Sequence, residues 1–86
     1  MKLKKIINIY NHAKDISRKA GDFIVKEGAG NLDIDYKGRA DMVTQIDRKS
    51  EEIIVNEITK AFPEHQILGE EQTDKTSESK IKWIID

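Results

Sequence analysis

Five carboxylates stand where segments of structure are expected to begin or end: Asp41, Asp47, Glu70, Glu71 and Asp86. That placement suits a hard divalent cation, because magnesium is usually held by a few carboxylates, water and a substrate phosphate rather than by a closed protein cage. If Glu70 and Asp86 close neighbouring strands, both project from one edge of a sheet, where ligands of open α/β sheets tend to bind. Taken singly, each residue also has an ordinary reading. Asp47 follows Thr44 at the spacing of a helix-capping device, "GEE" reads as a turn followed by solvated charge, and Asp86 is simply the last residue. Residue chemistry alone therefore points to an acidic metal site and stops there. Other chemistries have less support. With no cysteine, thiolate metal sites and cysteine nucleophiles are excluded. His12 and His65 lack partners at ligand spacing and read as ordinary surface or partly packed residues. No serine, histidine and aspartate arrangement suggests a hydrolytic triad, and "GAGNLD" lacks the remaining glycine and the lysine of a phosphate-binding loop.

The elements that must position these carboxylates follow from hydrophobic spacing. From Leu3 to about Lys26, the residues Leu3, Ile6, Ile7, Tyr10, Ala13, Ser17, Ala20 and Ile24 recur at helical intervals. Gly28 and Gly30 in "EGAG" are expected to end that helix. In "NLDIDYKG", Leu32, Ile34 and Tyr36 alternate with Asp33, Asp35 and Lys37, which predicts a half-buried strand leaving through Gly38. Thr44 in "DMVTQID" is the expected cap of a second helix, with Ile46, Ser50, Ile53, Ile54, Ile58 and Ala61 on one face and Glu57 interrupting it. Pro63 should end that helix by disfavouring a helical conformation at Phe62. "EHQILGEE" then contains a short strand, "QTDKTSESK" a solvated, mobile loop, and "IKWIID" a buried strand.

At 86 residues the chain is at most one small domain. Charged residues make up 36% with a net charge of -1 and both signs interspersed, so no basic field favours nucleic acid. Polar residues from Asn8 to Asp15 interrupt the apolar N-terminus before a signal-peptide core or a membrane span can form. A cytoplasmic protein without membrane or nucleic-acid partners is the expectation.

In order along the chain, "KAGDFIVKE", "KGRADMVTQIDRKSEEII", "AFPEHQILGEE" and "WIID" resemble the N-terminal part of the inositol monophosphatase family, whose members are magnesium-dependent, lithium-sensitive phosphomonoesterases. "DMVTQID" is similar to the family's D-(L/M)-V-T-x-x-D segment, "ILGEE" to its Gly-Glu-Glu metal segment, and "WIID" to the opening of its W-(I/L)-(I/V)-D-P-(I/L)-D-G-T signature. The Pro-(Ile/Leu)-Asp-Gly-Thr that should follow Asp86 is not in the chain, nor is the family's W-D-x-A-A/G segment with a further metal-binding aspartate.

The resemblance implies a layered α/β fold, that of the sugar phosphatases, represented here by two amphipathic helices and short strands. It implies Mg2+ as cofactor and a small phosphorylated substrate. It also implies roles. Glu70 is a metal-bridging glutamate that also lies beside the substrate phosphate, Asp86 is a metal ligand, and Asp47 orients the attacking water. Glu71 and Thr44 support them, while Gly69 turns the backbone into the site. The expectation is a chain that holds the N-terminal part of such an enzyme and is inactive alone. A 3′-phosphoadenosine 5′-phosphate phosphatase or a fructose-bisphosphatase-like enzyme would share these motifs. A non-catalytic interaction module, pairing through an incomplete sheet or self-associating as a homo-oligomer, is the alternative outside the enzymes.

Overall fold

A computed structural model describes the backbone of residues 2–29 and 36–86 and the side chains of residues 2–28 and 43–86. Helix α1 spans Leu3–Ala29 and helix α2 Tyr36–Ala61; strands β1 (Gln66–Gly69), β2 (Asp74–Lys75) and β3 (Lys82–Ile85) follow. This is an α/β arrangement of two helices and a small mixed sheet, in the strand order β2-β1-β3. β1 pairs antiparallel with β2 and parallel with β3. The core is small: Ile16 of α1, Ile58 of α2 and Ile67 of β1 are buried together, with Ile54, Val55, Trp83 and Ile85 packed around them.

The amphipathic face of α1 differs from the expected one. Ile16 and Ala20 are buried, and Ile9, His12, Ala13 and Phe23 are half-buried, whereas Leu3 and Tyr10 are 70% and 63% exposed and Ile6, Ile7 and Ile24 are also exposed. The physical reason is that α1 carries apolar residues on two faces and α2 covers only one of them. Glu57, which interrupts the apolar face of α2, is answered across the helix pair by Lys19, with Nζ 3.2 Å from Oε1. A pair this exposed contributes at most about 1 kcal/mol.

Two expected boundaries also move. α1 continues through Gly28 to Ala29, since a single glycine costs a helix only about 1 kcal/mol and the Lys26 side chain in the last turn complements the helix dipole. α2 begins at Tyr36, so Thr44 lies inside the helix and does not cap it. Lys37, Arg39, Ala40 and Met42 are good helix formers, and extending a helix adds one hydrogen bond per residue fixed; a capping residue alone does not stop it. The strand expected over Leu32–Tyr36 falls outside the described residues except at Tyr36, which is helical, as are Lys37 and Gly38. Pro63 acts as expected: α2 ends at Ala61, with the Phe62 N–H still donating to the Ile58 carbonyl at 2.7 Å.

The polar segment after β1 is solvated but tied down. It contributes β2, and its side chains reach back to the end of α2 and the turn that follows: Lys75 Nζ donates to the Pro63 carbonyl at 2.6 Å, and the Ser77 hydroxyl donates to that of Glu64. The Gln66 side-chain amide donates to the Ser79 carbonyl at 2.8 Å. Among the described residues no helix is long and apolar enough to cross a membrane.

Candidate functional site

β1 and β3 run parallel, with Gly69 opposite Ile85, so the next residues, Glu70 and Asp86, leave the sheet side by side at one edge. The Glu70 N–H donates to the Ile85 carbonyl at 2.9 Å, which fixes this adjacency. From the other side comes α2, where Asp47, Ser50 and Glu51 share a face because residues three and four apart in a helix are neighbours. Asp47, Ser50, Glu51, Glu70, Glu71, Ile85 and Asp86 together line a cavity of about 110 Å3. Asp47, Glu70, Glu71 and Asp86 are exposed, whereas Ser50 and Glu51 are buried. Thr44 lies about one turn before Asp47 and is not part of this described lining. Asp41 lies outside the residues whose side chains are described.

Sequence reasoning missed Glu51, although it is the most constrained carboxylate at the site. It is 2% exposed and accepts three hydrogen bonds: from the Glu71 N–H (2.8 Å), the Gln72 N–H (3.0 Å) and the Thr73 hydroxyl (2.7 Å). Burial pushes its carboxyl up, but the Thr73 hydroxyl and the backbone N–H groups of Glu71, Gln72 and Thr73 outweigh that and hold it below the usual carboxylate range. Gly69 explains how the acid gets there. A Cβ at residue 69 would overlap the Glu51 carboxylate carbon and both its oxygens, and no described glycine has a positive φ. The glycine of "LGEE" is therefore required for close approach and not to turn the backbone. The signal available in the sequence was the spacing of Asp47 and Glu51 on one helical face.

His65 is the other correction. It is 1% exposed, stacked on Phe62 with centroids 4.5 Å apart and planes at 4°. Trp83 Nε1–H donates to His65 Nδ1 at 3.0 Å, which requires Nδ1 to be unprotonated and places the proton of the neutral ring on Nε2. Burial pushes its pKa down; Glu64 opposes this, and Lys5 and Lys75 add to it. His12 donates from Nδ1 to the Asn8 carbonyl at 2.9 Å and meets Phe62 edge-on. Both histidines are structural.

The donors around the cavity are all oxygens, which fits a hard cation by kind. Among the described residues, no three histidine, cysteine or acidic side chains converge closely enough to enclose an ion. A larger hollow, about 560 Å3, lies beside Lys2, Lys4, Lys5 and Lys80 at the start of α1. It offers ammonium groups on flexible stems, whereas the acidic cavity has its donors held by secondary structure.

The sequence profile of the inositol monophosphatase family matches residues 6–86. A fructose-1,6-bisphosphatase/inositol-1-monophosphatase of Aquifex aeolicus is 38% identical over 80 residues, 90% of this chain and 30% of that protein. Nus factor SuhB of Vibrio cholerae is 39% identical over 79 residues, 88% of this chain and 30% of its own. An inositol monophosphatase of Mesembryanthemum crystallinum is 32% identical over 78 residues, 86% of this chain and 29% of its own. The chain thus spans about 30% of the length of the relatives it matches. No solved structure matches it.

Proposed function

The chain belongs to the inositol monophosphatase family, and from that premise we propose that it supplies part of the active site of a Mg2+-dependent phosphomonoesterase. The observation that carries this reading is the meeting of Glu70 and Asp86, from the ends of parallel strands, with Asp47 from α2 around one cavity. Glu70 and Asp86 would hold the cation. When bound, magnesium supplies positive charge against the phosphoryl oxygens and Lewis acidity at the reacting centre. Asp47 accepts a hydrogen bond from the attacking water and sets its direction toward phosphorus. Glu70, beside the phosphate, restricts where the ester can sit. Ile85 of β3 and the buried Ser50 and Glu51 of α2 complete the lining of the cavity. A small phosphate ester such as an inositol phosphate is the substrate class. The Aquifex relative, whose name joins two phosphatase activities, keeps a sugar bisphosphate in that class. The site works in a cytoplasmic enzyme that needs neither nucleic acid nor membrane.

The test is hydrolysis of inositol 1-phosphate by the chain alone and by the chain extended with the remaining segments of a relative. The extended protein should turn over only with Mg2+, lithium should inhibit it, and Glu70→Gln should abolish turnover; the 86-residue chain should show none. An extended, folded protein with no activity, or with activity indifferent to Glu70, would overturn the reading. A second reading, a non-catalytic interaction module, draws on exposed Leu3, Ile6, Ile7 and Tyr10 and on the outer edge of β3, which no other described strand pairs. The Nus factor name carried by several relatives keeps a non-enzymatic role in view.

A further inference from the structure

Glu51 lines the same cavity as the proposed metal-binding carboxylates, yet its two oxygens are already committed. Oε1 takes the Glu71 N–H, and Oε2 takes both the Gln72 N–H and the Thr73 hydroxyl. A carboxylate so occupied, and 2% exposed, has little acceptor capacity left for a cation. The residues it grips are those that carry Glu70. On one side the Glu70 N–H is fixed to the Ile85 carbonyl of β3; on the other, the next N–H, that of Glu71, is fixed to Glu51 of α2. The turn is also closed on itself by the Gly69 N–H donating to the Thr73 carbonyl at 2.7 Å. Gly69 is the side-chain-free position that lets the Glu51 carboxylate lie against β1.

We infer that Glu51 is a positioning residue: its carboxylate clamps the 69–73 turn to α2 and thereby fixes the backbone of Glu70, without itself binding metal. The purpose of the clamp rests on the phosphatase reading above; its existence does not. Glutamine cannot replace Glu51, because its single acceptor oxygen leaves an –NH2 facing either the Glu71 or the Gln72 N–H, and a buried donor is orphaned.

The experiment is amide NMR on the 86-residue chain, with Mn2+ as a paramagnetic probe of the oxygen site. In Glu51→Gln, the Glu71 and Gln72 amides should exchange at least tenfold faster, and the Glu70 H–N–Hα coupling should move to a conformationally averaged value, while α1 amides keep their protection. The Mn2+ concentration that half-broadens the Glu70 resonance should rise roughly tenfold or more. Glu70→Gln should do the reverse, losing Mn2+ broadening and keeping the turn protected. Unchanged exchange at Glu71 and Gln72 in Glu51→Gln overturns the clamp. Lost protection with unchanged Mn2+ broadening overturns the positioning role. If the wild-type chain shows no Mn2+ broadening, Glu70 and Asp86 do not hold a cation without the further ligand that the family resemblance implies, and the Glu70 coupling and the two amides decide Glu51 by themselves. Should Glu51→Gln not fold, Thr73→Val, which removes one of the three bonds, decides instead: severalfold faster exchange at Gln72 supports the clamp, and no change overturns it.

Discussion

Glu70 and Glu71 are adjacent in the chain but stand in different relations to the rest of the molecule. Glu70 is tied by its N–H to β3, and Glu71 by its N–H to α2. In an extended, active protein, Glu70→Gln should therefore remove an anionic ligand and abolish turnover, whereas Glu71→Gln keeps its backbone bond and should leave measurable activity. Equal losses at unchanged Mg2+ affinity would show the pair to be misassigned. At the core, Ile58 is fully buried, so Ile58→Ala should cost about 2–5 kcal/mol in denaturant unfolding. His65 and Glu51 both shape the acid side of the stability profile. His65 is favoured neutral in the folded state, so the unfolded chain binds more protons once the pH drops below the ordinary 6.5; its contribution is complete above that pH and is lost as the pH falls. Glu51 behaves likewise in a lower window: its contribution is complete above the ordinary 4.5 and is lost below it, through its depressed folded pKa. Thermal melts from pH 8 to 3 should show Tm falling in these two stages, and Glu51→Gln should flatten the lower one.

At the scale of elements, β1 meets α2 where Gly69 lies against the Glu51 carboxylate with no room for a Cβ. Gly69→Ala should push the Glu51 carboxylate off the turn and destabilise the chain by about 1–3 kcal/mol, read by urea unfolding; a neutral result would mean that α2 can step back from β1 at no cost. This junction also shows which parts of the fold were legible in the sequence. Glu70 and Asp86 could be placed at strand ends because short apolar runs stop on them, and Pro63 ended α2 through a local steric rule. The start of α2 was misread because Thr44 can cap a helix only if the preceding residues are not helical, and Lys37 to Met42 do not oppose a helix strongly enough. The buried face of α1 was ambiguous because it has two apolar faces and the sequence does not say which one α2 covers. Glu51 and His65 were missed for a different reason. Their roles come from Glu71, Gln72, Thr73 and Trp83, partners far along the chain that no periodicity links to them.

Considered whole, the molecule is long and thin for its size. Its radius of gyration is 15.0 Å and its extents are 50 × 22 × 17 Å, where a compact chain of this length would have a radius of about 12 Å. Its accessible surface, 6602 Å2, exceeds the ~5,200 Å2 expected of a folded monomer of this mass. Some of the excess is apolar: Leu3, Ile6, Ile7, Tyr10 and Val25 along α1, and Ile84, 71% exposed, on β3. Among the described residues, the outer edge of β3 is also unpaired. The isolated chain should therefore self-associate at micromolar concentration, and Ile6→Lys with Ile7→Lys should shift sedimentation toward monomer without loss of helix; a monodisperse wild-type monomer would count against this. The Trp83–His65 bond has a practical corollary. Trp83 is the single tryptophan in the chain, and its indole N–H is held by the neutral imidazole of the residue that precedes β1. Emission excited at the red edge of the indole band, where the two tyrosines do not absorb, thus comes from one place, the contact that docks β3 beside the acidic cavity, and its wavelength and intensity form a built-in optical gauge of that docking. A titration through the His65 window, or any ligand that seats Asp86 next to Glu70, can be followed by eye of spectrometer without attaching a dye.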